Sequence, residues 1–395
     1  MKTIITELFL VVVVAMLVLT TASQLSPVVI VPGDGSNQLE AKLDKPSSVH
    51  FYCSKKSDWY RIWLSVTQLL PGEIDCWADN IRLVVDEKGQ ATNSPGVTVR
   101  VPYWGTTTGF EELDPSIPAH KSAAFYNMVE ALVKVGYERN VTIRGAPYDF
   151  RYTPDAHDGS YGKALKALIE NTVDTQGGVP ATLITHSMGG LQGLYFLQSQ
   201  DEAWKSKYIK RWIPISAPLK GAAKEWRLFA TGDSEGLPVQ ASSIRDEQRS
   251  YETNLWLSPR DQPSTVFVRT PEKNYTTTNY EEFFNDIGYS KGEIVRKRVV
   301  SLIPDVAAGP GVDVHCMYST GVDTPFSFYY EDGDFNKSPV VTNSDGDGTV
   351  HASSLKFCNQ WNNTVVTTYS GVDHSGMITN ATVIKKIVEI ILSDL

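Results

Sequence analysis

Residues 181–190 read Ala-Thr-Leu-Ile-Thr-His-Ser-Met-Gly-Gly, a charge-free run that passes through a serine into two glycines. A run of this kind suits a buried strand that enters a helix through one tight turn, with the serine at the apex. The flanking chain repeats the same alternation. Val28–Val31 is strand-like and ends in Pro32-Gly33-Asp34-Gly35, residues 122–135 are helical in pattern, 141–143 strand-like, 161–173 helical, 188–198 helical and 209–215 strand-like. Strand-then-helix order predicts an α/β fold with a mostly parallel sheet covered by helices on both faces. A polar segment punctuated by glycine and proline, residues 219–298, interrupts the pattern and reads as an inserted cap. Alternation resumes at 312–318 and 364–369. It closes with a helix whose Val383, Ile384, Ile387, Val388, Ile391 and Leu392 form one apolar face.

The 395 residues carry 36 Lys plus Arg against 45 Asp plus Glu, a formal charge of −9. Excess acid leaves no electrostatic footprint for a polyanion, so no nucleic-acid partner is expected. Lys2 followed by an apolar run at 8–19 and small polar residues reads as a secretory signal peptide over residues 1–23. That run is shorter than the roughly 20 residues of a membrane span. Five sequons, at Asn140, Asn274, Asn336, Asn362 and Asn380, agree with passage through a secretory compartment. Cys53, Cys76, Cys316 and Cys358 allow three pairings there, and residue spacing does not choose among them.

A serine hydroxyl is a weak nucleophile until a base takes its proton. Ser187 is the candidate nucleophile, and its partners are sought in the order serine, acid, histidine, each after a strand. Asp347, in Gly346-Asp347-Gly348, and His374, between the 364–369 strand and the last helix, meet that order. Asp345 is the rival acid, while His186 and His351 read as structural. Thr185 stands where such turns carry glycine. Backbone N–H groups of Asp34, in the early loop, and Met188, after the nucleophile, are the candidate oxyanion donors. Asn343-x-Asp345-x-Asp347-Gly348 resembles the start of a calcium loop, but Ser354 holds the position of the bidentate glutamate. Gly33-x-Gly35 fails as a dinucleotide motif because Gln38 replaces the third glycine. No metal or other cofactor is expected.

Between Cys53 and Cys76, the residues Trp59, Ile62, Trp63, Val66 and Leu70 share one face at helical spacing, with Leu64, Leu69 and Ile74 nearby. Such a stripe suits either an interfacial element at a lipid surface or a helix packed on the core.

Longer blocks make the chain resemble a known family. Pro32-Gly33-Asp34-Gly35-Ser36-Asn37-Gln38-Leu39, Asp75-Cys76-Trp77, Gly145-Ala146-Pro147-Tyr148-Asp149, His186-Ser187-Met188-Gly189 and His315-Cys316-Met317-Tyr318 are similar to the lecithin:cholesterol acyltransferase-like α/β-hydrolases. The resemblance implies an α/β-hydrolase fold with a cap and a small disulfide-closed membrane-binding subdomain at residues 47–90. It places Ser187, Asp347 and His374 on a catalytic triad, Asp34 and Met188 on the oxyanion hole, and Lys224 near a lipid headgroup. It pairs Cys53 with Cys76 and Cys316 with Cys358, and puts Trp59, Ile62, Trp63, Leu64, Val66, Leu69 and Leu70 at a membrane. Asp34, Met188 and Gly348 resemble the lysosomal branch, where the plasma branch has cysteine, leucine and aspartate. Ala217-Pro218-Leu219-Lys220-Gly221 departs from the family's Ala-Pro-Trp-Gly-Gly and changes bulk and charge near the cap.

The implied activity is cleavage of a glycerophospholipid ester through an acyl-serine, with transfer to water or a lipid alcohol such as N-acetylsphingosine, at acid pH on a peripheral membrane surface, by a monomer. Sterol acylation and non-catalytic lipid binding are the alternatives. At acid pH a histidine of ordinary pKa, about 6.5, is mostly protonated, so desolvation under bound lipid is expected to lower the histidine pKa against the pull of Asp347, while Asp34 becomes neutral and stops repelling the developing oxyanion and phosphate. Protonation of all seven histidines would also reduce the net charge to about −2.

Overall fold

A computed structural model describes residues 25–393 apart from Pro238, so the expected signal segment at 1–23 lies outside the described residues. Six strands form the central sheet, in the spatial order Thr364–Ser370, Val314–Thr320, Ile209–Ile215, Ala181–His186, Val28–Val31 and Ile143–Gly145. Every pairing between them is parallel. Period-two alternation divides the first strand between two cores. Val28 and Ile30 face Tyr126–Lys134 and Ala381–Leu392, whereas Val29 and Val31 face the side that holds Ala156–Thr175 and Met188–Gln198. The last helix starts at Asn380, whose side chain accepts hydrogen bonds from the N–H groups of Thr382 and Val383.

Several expected boundaries move, the 161–173 helix being Ala156–Thr175 and the 312–318 strand Val314–Thr320. The 122–135 helix begins only at Tyr126. The strand expected at 141–143 is Ile143–Gly145, because the N–H groups of Thr142 and Ile143 both turn back to the Glu138 carbonyl. Residues 219–298 carry helices, among them Lys224–Thr231, Ala241–Ser250, Tyr280–Asp286 and Gly292–Val300, and add Trp226, Phe229, Trp256 and Phe283 to the main hydrophobic core. Their short strands Val268–Arg269 and Asn274–Tyr275 join Val322–Tyr329 and Val340–Gly346 in a four-stranded sheet. Asn343–Gly346 of the considered calcium loop is therefore strand, paired antiparallel across to residues 322–325.

The helical reading of the tryptophan stripe is corrected. Lys56–Trp63 is a β-strand, paired antiparallel with Leu39–Asp44, which pairs in turn with Val97–Arg100. Its pairing slips at two irregularities, and a bulge turns side chains out of strict alternation. The slips give the strand a false helical period. Val66–Leu69 is a single 3-10 turn, and the helix of this unit is Ile74–Ile81. Disulfides join Cys53 to Cys76 and Cys316 to Cys358, with Cα separations of 5.4 and 6.4 Å. The first ties the strand's approach to that helix, and the second ties the central sheet to the 3-10 turn Lys356–Gln360.

Thr185, in place of the usual glycine, is fully buried and accepts a hydrogen bond from the Trp212 indole at 3.0 Å. Its methyl fits because the facing helix has Gly193, where a Cβ would lie 2.9 Å from it. Thr185→Gly should therefore destabilise the protein by about 1–3 kcal/mol, through a lost partner for a buried donor and a looser strand. Thermal melts of the two proteins check this.

Candidate active site

Strand Ala181–His186 hands the chain to helix Met188–Gln198 through Ser187, which holds φ 54° and ψ −130°. A non-glycine residue so placed costs about 1–3 kcal/mol, so packing must hold it there. Packing does so by a backbone approach that no side chain could share. A Cβ on Gly189 would lie 2.4 Å from the Pro32 carbonyl oxygen, and one on Gly33 would lie 2.8 Å from Ser187 Cβ. The early loop is thus pressed against the serine turn. The N–H groups of Asp34 and Met188 make no backbone hydrogen bond among the described residues, and Met188 opens its helix, where free N–H groups and the dipole favour negative charge.

Two further side chains brace the early loop. The buried amide of Asn37 accepts from the Tyr148 N–H and donates to the Tyr148 carbonyl. Trp63 donates its indole N–H to the Gly35 carbonyl at 2.7 Å. Asn37 had no assigned role from sequence, although it lies inside the matching block. Trp63, expected at a membrane, is a wall of the site.

His374 and Asp347 meet at 2.7 Å between Nδ1 and Oδ2. The Asp347 carboxylate is fully buried, and its other oxygen accepts from the N–H groups of Thr349 and Val350. Burial raises the Asp347 pKa, but the His374 ring and these donors outweigh it and leave the carboxyl below its usual range. Asp345, the rival acid, caps Gly321 and lies 3.7 Å from Lys356. Ser187 and His374 face one cavity of about 510 Å³ without a direct hydrogen bond, as is common before substrate binds. His186 sits behind His374 and bonds the His374 carbonyl through Nε2. Burial first, then the neighbouring His374, holds His186 down at about 3. Burial also lowers His351 to about 4. These two rings stay neutral through mild acid, so the expected fall in net charge to about −2 overstates the change.

Lys224 lines the same cavity and is paired with Glu235 at 2.8 Å. Leu219 is buried in the core, and Lys220 reaches Asp261 and the Phe357 ring rather than the cavity. None of residues 217–221 lines the cavity. Sequence reasoning singled out Asp34 but missed Glu225, Glu235 and Glu247, the acids that crowd it. Burial, then Glu235, raises the Asp34 carboxyl to about 7, against the opposing pull of Lys224 and the Gly35 N–H. Burial raises Glu247 to about 8, with Glu235 and Asp34 adding to it, and burial lifts Glu225 well above its usual range. Burial pulls the Lys224 ammonium down, yet Glu235, Glu225 and Asp233 together hold it above its usual value. The one available signal was Ile244-x-x-Glu247-x-x-x-Tyr251, which puts an acid on the buried stripe of Ala241–Ser250.

Because the folded Glu247 pKa lies above its unfolded value, this group costs stability as pH rises from about 4.5 through about 8. Glu247→Gln should raise Tm by about 2–4 °C at pH 8 and hardly change it at pH 4.5. Paired thermal melts at the two pH values check the sign.

Comparison with known proteins agrees with this geometry. The profile of the family described as Lecithin:cholesterol acyltransferase matches residues 59–302 and 289–386. Human "Lysosomal phospholipase A and acyltransferase" is 45% identical over 377 residues, covering 93% of this chain and 90% of its own. Human "Phosphatidylcholine-sterol acyltransferase" is 39% identical over 343 residues, covering 85% of this chain and 76% of its own. Among solved structures, the Tle4-Tli4 complex aligns with a TM-score of 0.53 at 12% identity over 94% of this chain and 99% of that one, a likeness of fold alone. With its parallel sheet, its serine turn and matches along nearly its whole length, this chain belongs to the lecithin:cholesterol acyltransferase family.

Proposed function

We propose that this protein is a serine phospholipase and O-acyltransferase that works on membrane surfaces in an acid compartment. The observation that carries the reading is the buried Asp347–His374 pair facing the same cavity as Ser187, in a chain 45% identical to a protein named "Lysosomal phospholipase A and acyltransferase".

His374 Nε2 takes the Ser187 proton as Oγ attacks an ester carbonyl of a glycerophospholipid, and Asp347 stabilises the resulting imidazolium. The Asp34 and Met188 N–H groups hold the oxyanion. As the C–O bond to glycerol breaks, His374 returns the proton to the leaving oxygen, lysophospholipid departs and acyl-serine remains. Water, or the hydroxyl of a lipid alcohol such as N-acetylsphingosine, then gives its proton to His374 and takes the acyl group, and as the ester bond to Ser187 Oγ breaks His374 returns the proton to Oγ. A substrate phosphate displaces Glu235 from Lys224. Below pH 7 Asp34 is neutral and repels neither the oxyanion nor the phosphate. The favoured acyl acceptor is a lipid alcohol rather than a sterol, in line with the more similar relatives.

The lipid-facing surface differs from the stripe expected from sequence. Ile62, Leu64 and Leu69 are buried, Trp63 and Leu64 line the cavity, Val66 packs partly against the core, and Arg100 covers Trp59 at 4.1 Å. Phe51 is 99% exposed, with Val49, Tyr52 and Leu70 each about half exposed on the same disulfide-closed unit. These four form the anchor. Passage into a lysosome through the 1–23 signal segment fits the exposed side chains of Asn140, Asn274, Asn336, Asn362 and Asn380.

Product analysis on phosphatidylcholine liposomes with N-acetylsphingosine tests the reading. Lysolipid and acylated sphingosine should form at acid pH and fall at least a thousandfold in Ser187→Ala. Equal turnover in the variant would refute the serine mechanism. Phe51→Ser with Leu70→Ser should lower liposome turnover at least tenfold while a soluble ester is cleaved as before. Equal loss on both substrates would refute the anchor.

A further inference from the structure

A second cavity, of about 280 Å³, lies against helix Met188–Gln198 and is lined by none of the residues around Ser187 and His374. Its size is near the lower end of the roughly 300–1,000 Å³ of small-molecule sites. Trp104, Tyr148, Tyr152 and Tyr161 supply aromatic walls, and no lysine or arginine lines it. Its one carboxylate, Asp149, is held by the Arg151 guanidinium through both oxygens.

Two polar groups on this wall lack partners. Gln192 is only 2% exposed and lines the cavity, and its side-chain amide makes no hydrogen bond within the described residues. Tyr148 is 4% exposed, and its hydroxyl is buried without a partner. Buried amides and phenols are almost always satisfied, so an unpaired couple in one apolar cavity asks for a ligand with both a donor and an acceptor. A primary amide matches a carboxylic acid in a closed ring: the amide carbonyl accepts the acid O–H and the amide N–H donates to the acid carbonyl. The phenol supplies one more hydrogen bond. No lysine or arginine of the lining would meet an ionised carboxylate, and the one imidazole there, His157, belongs to an exposed residue, whereas an unpaired buried charge is costly. The remaining wall is mostly apolar, with Thr153, His157 and Ser160 as its other polar residues, and Trp104 on it is 39% exposed.

We propose that this cavity binds a long-chain fatty acid in its protonated form, head first on to Gln192 and Tyr148, with the tail leaving past Trp104. Gln192 lies one turn beyond Met188 on the nucleophile helix, and the Tyr148 backbone is bonded to Asn37 beneath the early loop. The bound acid therefore sits directly behind both oxyanion donors. Fatty acid released by the phospholipase is one supply of this ligand, and that supply rests on the proposed function, whereas binding at Gln192 does not.

Quenching of tryptophan fluorescence by 9,10-dibromostearic acid tests the site, with the corresponding dibromo alcohol as comparison. Saturable quenching is expected at pH 5 and not at pH 8, with a substantial part lost in Trp104→Phe. Affinity should fall at least tenfold in Gln192→Leu and in Tyr148→Phe. Tyr148→Phe removes only an unpartnered hydroxyl, so it carries the test if Gln192→Leu fails to fold. Unchanged affinity in Tyr148→Phe, equal binding at the two pH values, or equal binding of the alcohol would each overturn the proposal. Because no turnover is measured, failure here leaves the phospholipase reading untouched, and loss of turnover in Ser187→Ala leaves this site untouched.

Discussion

Two turns meet with no side chain between them, and the rest of the site follows from that contact. The loop after the first strand reaches the serine turn only because Gly33 and Gly189 have no Cβ. Adjacent parallel strands bring the two turns to the same edge of the sheet. Ser187 is held in its strained conformation by the same contact, which brings the loop carrying Asp34 against the turn that leads into Met188. Asn37 and Trp63 then fix the loop from behind and from the side. This is preorganisation in a literal sense, since the donors are in place before charge develops.

The same contact has an electrostatic consequence. An amide from Asp34 brings a carboxyl with it, and that carboxyl enters a region already holding Glu225, Glu235 and Glu247. A single ammonium, that of Lys224, faces them across the cavity. Burial and mutual repulsion push protons on to Asp34, Glu225 and Glu247, so the cavity loses negative charge as pH falls. A phosphate-bearing substrate and an oxyanion both gain from that change. In the proposed mechanism, acid preference therefore originates in the early loop rather than in the Asp347–His374 pair, whose carboxyl is held below its usual range.

How legible each part was in the sequence depends on the range over which its determinants act. Ser187 and the alternation around it depend on near neighbours, and both are readable. Asp347 and His374 are readable from chain order and loop position, although Asp347 follows Val340–Gly346 of the four-stranded sheet and His374 follows Thr364–Ser370 of the central one. The stripe from Trp59 to Leu70 was misread because two slips in pairing remove the period-two signal. Trp63 was assigned to a membrane because nothing local reports its bond to Gly35, 28 residues earlier. The acid cluster was illegible for a stronger reason: Asp34 and Glu235 are about 200 positions apart, and only the packed cap brings them together. Cysteine pairing, open from spacing alone, is settled by Cα distances.

The proposed mechanism requires an uncharged Asp34. A pH–rate profile for Asp34→Asn with a soluble short-chain ester tests it most directly, because such a substrate removes membrane charge from the measurement. Asparagine keeps the backbone N–H and stays neutral at every pH. In the unaltered protein, kcat/KM should fall as pH rises through about 7, and in Asp34→Asn it should hold above that pH. The same fall near pH 7 in both proteins would contradict the account and move the origin of acid preference away from the oxyanion loop.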